Sequence, residues 1–175
     1  MSQEADLEAA RDADTEYLVR RSMTKGYQLF SVLTPPAYAT FVILRRGRGQ
    51  LTINRLLRAT WLGGATVSTS VQGLVAGGAF GYTRSVTANP ETLRARRIRA
   101  AFDMDSMRAD DHATIGALLF SVLTPAMFWK RATTIHLIFG GAGLGTAVGW
   151  ATHIGRHIFG DPAPKAQIPV PTQDP

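Results

Sequence analysis

The chain has 175 residues, a formal net charge of +6, 45% hydrophobic residues and a mean hydropathy of +0.00. It contains no cysteine, which excludes disulfides, thiolate metal sites, iron–sulfur clusters and palmitoylation. The basic residues flank uncharged segments, so they suit lipid headgroups better than nucleic acid, and we predict no nucleic-acid partner.

The charges leave four windows without Lys, Arg, Asp or Glu, at residues 26–44, 59–83, 112–129 and 132–155. A membrane-spanning helix needs about 20 mostly apolar residues. The second and fourth windows are long enough, whereas the first and third are marginal because they contain proline and polar residues. The pattern predicts an all-α polytopic membrane protein with four transmembrane helices. A soluble bundle is the alternative, but its helices would carry charges along one face.

Residues 1–25 are rich in acidic side chains and unlike a mitochondrial presequence or a signal peptide. Glu16 and Arg20 are four residues apart, a spacing that favours a short exposed helix. We therefore predict an acidic N-terminal helix or tail outside the membrane.

The sequence LFSVLTP occurs at 29–35 and again at 119–125, 90 positions later. Each copy is followed by a basic stretch and then by a glycine-rich uncharged window. This predicts one membrane hairpin used twice, at residues 26–83 and 112–155. Matching residues 62–65 with 139–142 places an insertion in the first connecting loop.

Prolines lie within the first span of each predicted hairpin, at Pro35, Pro36 and Pro125. Proline removes a backbone donor, so these positions are predicted helix kinks. The freed carbonyls need another partner in a membrane, and Thr34 and Thr124 are available. Short, bent or re-entrant spans are the alternative.

The central loop, residues 84–111, contains Asn-Pro-Glu at 89–91, which is typical of a helix start. A short basic amphipathic helix is expected to follow, lying at the membrane surface or packed on a partner protein. Its arginines are predicted to share one side and, with two arginines of the first loop, to bind lipid headgroups, some of them anionic. These predicted headgroup ligands are Arg45, Arg46, Arg94, Arg96, Arg97 and Arg99.

Glycine recurs every fourth residue in the second span of each hairpin. Such spacing lines one helix face and lets another backbone approach closely. It predicts tight helix pairing within the chain, with pairing to another protein as the alternative. The predicted packing residues are Gly73, Gly77, Gly81, Gly141, Gly145 and Gly149.

Residues with catalytic spacing are not found, and no acidic residue lies within a window to carry protons. His153, His157 and Asp161 follow each other at intervals of four and are a candidate metal set. Gly155 and Gly160 weaken that helix, so we predict no metal, no cofactor and no catalytic residue. Residues 156–175 are predicted to be a proline-rich exposed tail.

The segments 108–112, 115–116, 123–125 and 128–132 (RADDH, IG, LTP and FWKRA) resemble an uncharacterised family of small fungal multi-pass membrane proteins. The glycine-rich spans are similar in composition to the superfamily of four-span mitochondrial translocases and complex I membrane subunits. Both resemblances imply an organellar membrane, and we expect it to be the mitochondrial inner membrane.

The expected function is that of a non-enzymatic accessory, assembly or scaffold component of a mitochondrial membrane complex, with other membrane subunits as partners and no small-molecule substrate. The alternative is a small transporter or channel built from two parallel two-helix repeats. In that case the polar side chains of the spans would face one cavity. Those side chains are Thr34, Thr124, Gln72 and His136.

With four spans, both termini and the central loop lie on the same side. That side carries 12 Lys and Arg residues, and the two short loops carry seven. The positive-inside rule then favours the matrix for the termini, although the basic density of loop 45–58 argues the other way.

Overall fold

A computed structural model describes residues 2–47, 51–61, 70–161 and Pro164. This part of the chain contains six α-helices and no strand, which confirms the all-α prediction. The helices are α1 (Ser2–Arg46), α2 (Ile53–Trp61), α3 (Ser70–Val86), α4 (Pro90–Ala101), α5 (Met104–Phe128) and α6 (Thr134–Ile158).

Helix α1 is one continuous helix of 45 residues. At 1.5 Å per residue it is about 67 Å long, twice the hydrocarbon thickness of a bilayer. The predicted division at residue 26 between an acidic tail and a first hairpin therefore does not coincide with a helix end, because no residue between them interrupts the helix. The predicted pair of Glu16 and Arg20 is present, with 2.5 Å between the carboxylate and the guanidinium.

The three prolines predicted to kink the first spans lie inside helices. Pro35 and Pro36 are within α1, and Pro125 is within α5 near its C-terminal end. The helices continue through all three positions. Thr34 and Thr124, the neighbouring hydroxyl residues, are buried, with 2% and 6% of their surface exposed.

Two helices are long and apolar enough to cross a membrane, namely α1, within Glu4–Arg45, and α5, each with a window of mean hydropathy 1.2. They contain the first and third predicted spans, which the sequence made marginal because of their proline and polar residues. The second and fourth windows were expected to be the better membrane spans because of their length. In the described residues, however, α3 and α6 are not among the helices that are long and apolar enough to cross a membrane. Helix α6 is rich in glycine, which adds length without apolar surface, and residues 62–69 of the second span lie outside the described part.

The helices form two antiparallel pairs. Helix α1 packs along α3, and α5 packs along α6. Contacts of α6 with both α1 and α2 join the pairs, and α4 lies against α1. The acidic N-terminal half of α1 therefore meets α4 and the start of α5 at one end of the bundle, while α2 meets the start of α6 at the other.

Helix α4 begins where the sequence predicts, with Asn89 as the N-cap and Pro90 in the first turn, although the Asn89 side chain makes no capping hydrogen bond. The prediction that its arginines share one side is wrong. Arg97 pairs with Asp14 of α1, whereas Arg96 donates to the backbone carbonyl of Arg84. Their spacing of one residue turns them about 100° apart on a helix, so they reach different neighbours.

Small and polar residues make up much of the interior of the described part, together with a few large apolar side chains such as Leu57, Leu93 and Leu137, and many large apolar side chains lie on the outside. On α5, Leu118, Leu119 and Val122 are 66%, 62% and 72% exposed. Water-soluble proteins bury such side chains, and a continuous exposed apolar surface marks contact with lipid or with a partner. The buried polar residues are Asp14, Gln28, Ser31, Thr34, Thr60, Ser85, Thr124 and Thr146. The buried hydrophobic residues are Val42, Leu57, Ala59, Leu93, Ala109, Ala113 and Leu137.

Candidate functional site

The contact between α1 and α3 is built on glycine. A Cβ atom placed on Gly26 would lie within 3.0 Å of the carbonyl group of Gly73 and of the Cα of Gly77. Real Cβ atoms essentially never come that close to backbone. Further along, Gly81 faces Ser22, whose Oγ would lie 2.7 Å from a Cβ there. The two helices are therefore in close contact from Gly73 to Gly81, a little over two turns of α3.

The contact between α5 and α6 has the same construction. A Cβ on Gly116 would meet the carbonyl oxygen of Gly145, and one on Gly145 would meet the carbonyl of Gly116. Gly149 lies against the carbonyl of His112, and Gly141 faces the Phe120 carbonyl oxygen, 2.6 Å from its Cβ position. All six predicted packing glycines thus lie at contacts between helices of this chain.

Two central glycines, Gly26 and Gly116, were not among the predicted packing residues. They are 90 positions apart, the same interval that separates the two LFSVLTP copies. The repeat interval was therefore the signal that could have identified them. Each is the point at which the first helix of a pair meets two glycines of the second.

The register of the second helices differs from the predicted match. Gly73 faces Gly26, and Gly145 faces Gly116, so these two glycines occupy equivalent places. Matching residues 62–65 with 139–142 would instead make Gly73 of the first repeat equivalent to Trp150 of the second. Residues 62–65 themselves lie outside the described part of the chain.

A third close contact attaches α2 to α6. A Cβ on Gly140 would lie 2.5 Å from the Leu57 carbonyl oxygen. Beside it, the Trp61 ring stacks on Phe139 with 5.2 Å between ring centroids. The His136 Nδ1 donates a hydrogen bond to the Asn54 Oδ1 at 2.9 Å.

A polar cluster connects the two helix pairs where α1 passes α5. Lys25 Nζ and Gln28 Nε2 both donate to Asp110 Oδ1, each at 2.6 Å. Gln28 is buried, with 4% of its surface exposed. Lys25 also lies 3.4 Å from the Ser106 carbonyl oxygen, so a single lysine contacts two turns of α5. The cluster fixes the axial position of α1 relative to α5.

Further ion pairs lie at the same end of the bundle. Arg21 of α1 pairs with Asp103 at 3.3 Å and also donates to the Ala100 carbonyl. Asp103 in turn caps α5 by accepting from the Ser106 amide at 3.2 Å. Arg97 pairs with Asp14 and lies over the Tyr17 ring. These contacts join α1, α4 and the start of α5 outside the apolar windows.

The candidate metal residues do not come together. Asp161 pairs with Arg156, and His153 lies 3.4 Å from Asp105. The hydrogen bond from Arg156, the charge of that guanidinium and the charge of Arg108 lower the pKa of the Asp161 carboxyl. His157 is exposed. In the described residues, no group of three or more His, Asp or Glu side chains could hold a metal ion.

The predicted headgroup arginines lie in different surroundings. Arg94 and Arg99 are exposed, and Arg45 lies 5.6 Å from the Phe41 ring centroid on the opposite end of the bundle. The Arg46 side chain lies outside the described part. The first loop contains five basic residues and the short turn at 130–131 contains two. None of these seven has an acidic neighbour in sequence, since no Asp or Glu occurs in 17–90 or 112–160.

Of the four residues proposed to line a transport cavity, two have contacts in different parts of the bundle. Thr124 is buried against Gly141, and His136 is bound to Asn54 beside Trp61. Thr34 is buried in α1, and Gln72 lies in α3.

No family model, curated protein or solved structure matches the chain. The resemblance to the fungal membrane proteins and the similarity to mitochondrial translocase subunits therefore stay predictions.

The glycine contacts predict that adding a single methyl group at a contact glycine destabilises the protein. Gly145→Ala is expected to lower the free energy of unfolding by about 1–3 kcal/mol, because the new Cβ meets the Gly116 carbonyl. Gly155→Ala is the matched control on the same helix, since nothing lies within 4 Å of its Cβ position. It should leave stability unchanged or raise it by up to about 1 kcal/mol. Thermal unfolding in detergent measures both, and equal losses would contradict the contact.

The polar cluster predicts that Asp110 contributes more to the free energy of unfolding than its neighbour Asp111 does. Asp110→Asn removes the charge that Lys25 and Gln28 share, and is expected to cost about 1–2 kcal/mol of unfolding free energy because the site is only partly exposed. Asp111→Asn is the control, because Asp111 is exposed and has no ion pair in the described residues; its effect should stay within about 0.5 kcal/mol. A loss for Asp111→Asn as large as that for Asp110→Asn would show that the cluster is not specific.

Proposed function

We propose that this chain is an integral membrane protein whose four spans form two repeated antiparallel hairpins. The observation that carries the proposal is the inverted distribution of side chains. Serine, threonine and glycine lie between the helices, while leucine, valine and phenylalanine cover the outside. In a bilayer, lipid chains solvate the outer surface, and helices associate through small residues and hydrogen bonds.

The alternative of a soluble bundle would place this surface in water. Exposed apolar residues occur on α1, α3, α5 and α6, so no single face is available for burial against one neighbour. The two helices that are long and apolar enough to cross a membrane belong to different hairpins. Helices α3 and α6 would complete the four spans, since α3 packs along α1 and α6 packs along α5.

We further propose that the protein acts as a non-enzymatic accessory, assembly or scaffold component of a mitochondrial inner-membrane complex. Its glycine faces are used within the chain, and its ion pairs hold its own helices together. The outer face of α5, with a shallow cavity of about 530 Å³ beside Leu119, Val122 and Leu123, remains for a partner subunit. A transporter is less well supported, because Thr124 and His136 are engaged in separate contacts, against Gly141 and with Asn54.

Membrane integration and topology are testable together, because the chain has no native cysteine. We expect single-cysteine variants Glu8→Cys and His157→Cys to react with a membrane-impermeant maleimide from the same side, which we propose is the matrix. Lys130→Cys should react only from the other side, since α1 with α3 and α5 with α6 are antiparallel. Alkaline carbonate should leave the protein in the membrane pellet. Release by carbonate, with all three cysteines labelled from one side, would disprove the four-span proposal.

The scaffold proposal predicts a partner on α5. Native gels of mildly solubilised mitochondria should show the protein in a larger complex. Val122→Trp should release part of it, because Val122 is 72% exposed on the proposed partner face, whereas Val75→Trp on α3, at a position 63% exposed, should not. Migration of the unmodified protein only as a free monomer would rule out the scaffold role.

A further inference from the structure

A groove of about 600 Å³ runs along the bundle where α1, α3 and α4 meet. Its apolar part is lined by Leu29, Phe30 and Phe80, and its floor is the glycine contact of α1 with α3. The groove exists because the glycines bring the backbones together without side chains that would fill the space beside them. It is therefore a consequence of the helix contact.

The end of the groove at α4 is basic. Four cationic side chains line the groove as a whole, and no carboxylate does. Two of the four are engaged, since Arg21 pairs with Asp103 and Lys25 with Asp110. The other two are Arg84, in the last turn of α3, and Arg96 of α4.

Arg84 and Arg96 have no ion pair with a carboxylate in the described part of the chain. Arg96 donates to the Arg84 backbone carbonyl at 3.4 Å, which keeps the two residues adjacent. Guanidinium groups bind phosphate through paired N–H donors, and they do so most favourably where no protein carboxylate competes. An anion is the complementary occupant of this end of the groove.

The length of the groove fits a lipid in one leaflet. The rise along α3 from Gly73, at the apolar end, to Arg84, at the basic end, is about 16 Å. Half of the hydrocarbon thickness of a bilayer is about 15 Å. A phosphate held at Arg84 and Arg96 would therefore lie at the level of the headgroups while an acyl chain reached Gly73.

We propose that this groove binds one anionic phospholipid, with its phosphate at Arg84 and Arg96 and an acyl chain along the glycine face of α3. The proposal rests on the proposed membrane integration. It separates Arg96 from Arg94 and Arg99, which were grouped together as headgroup ligands, because only Arg96 lines the groove. The bound lipid would cover the surface that α1, α3 and α4 leave open between them.

The test uses the full-length protein in detergent, analysed by native mass spectrometry with added phosphatidylglycerol or phosphatidylcholine. We expect retention of one phosphatidylglycerol in preference to phosphatidylcholine. Arg84→Gln with Arg96→Gln should weaken phosphatidylglycerol binding about 30-fold, at roughly a fivefold loss for each charge near an anionic headgroup. Ala76→Leu, which fills the groove from an exposed position on α3, should reduce the binding of both lipids.

The matched control is Arg94→Gln with Arg99→Gln, which removes the same charge from exposed positions of α4 outside the groove. It should leave phosphatidylglycerol binding unchanged. Equal losses in the two double variants would overturn the proposal in favour of diffuse attraction to headgroups. Full displacement of the lipid by millimolar inorganic phosphate would also overturn it, because the site would then bind free phosphate. Binding of a protein partner at the groove that is unaffected by lipid would exclude the lipid as its occupant.

Carbonate extraction and thermal unfolding of each variant keep this result separate from the proposed function. A protein that stays in the membrane but retains no phosphatidylglycerol disproves the lipid site alone. A protein that carbonate releases disproves membrane integration, whatever lipid it binds. Variants with the unfolding temperature of the unmodified protein show that lost lipid binding does not come from lost folding.

Discussion

The direct contact of helix backbones at Gly26 and Gly116 is the constraint on which the described structure depends. At each point a carbonyl of the partner helix occupies the place where a Cβ atom would be. No other residue fits there without moving a helix. Close approach strengthens van der Waals contact along the whole helix pair, and in the proposed bilayer environment this contact would be the main source of helix association.

The composition of the interior follows from that contact. Helices this close leave room mainly for small side chains at the contact, so most large apolar residues of α1, α3, α5 and α6 lie on the outside. The buried serines and threonines remain compatible with an apolar environment because a helical hydroxyl can bond to a carbonyl of the preceding turn, as Thr146 does with Ala142 at 3.0 Å. The same geometry leaves an open groove beside α3. Packing, outer surface and proposed lipid site thus have one physical origin.

Charge placement adds a second level of organisation. Apart from Asp161, the carboxylates of the described part lie in the N-terminal half of α1, in α4 and around the start of α5. Three of them, Asp103, Asp110 and Asp14, pair with Arg21, Lys25 and Arg97 respectively. These pairs are partly exposed, so their contribution to stability is modest and their main effect is to set the relative positions of the helices. Because these cations are paired within the chain, Arg84 and Arg96 differ from them in being available to an external anion.

The sequence by itself determined the helical class, the start of α4 and the glycine faces, because these depend on local spacing, capping residues and side-chain size. It also contained the 90-residue interval that relates Gly26 to Gly116. Only the tertiary structure decided that α1 continues past residue 26, that Gly73 corresponds to Gly145, and that Arg96 and Arg97 face different neighbours. Those features depend on which surfaces meet and at what height. Contacts such as Lys25 with Asp110 join residues distant in sequence, and no local pattern specifies them.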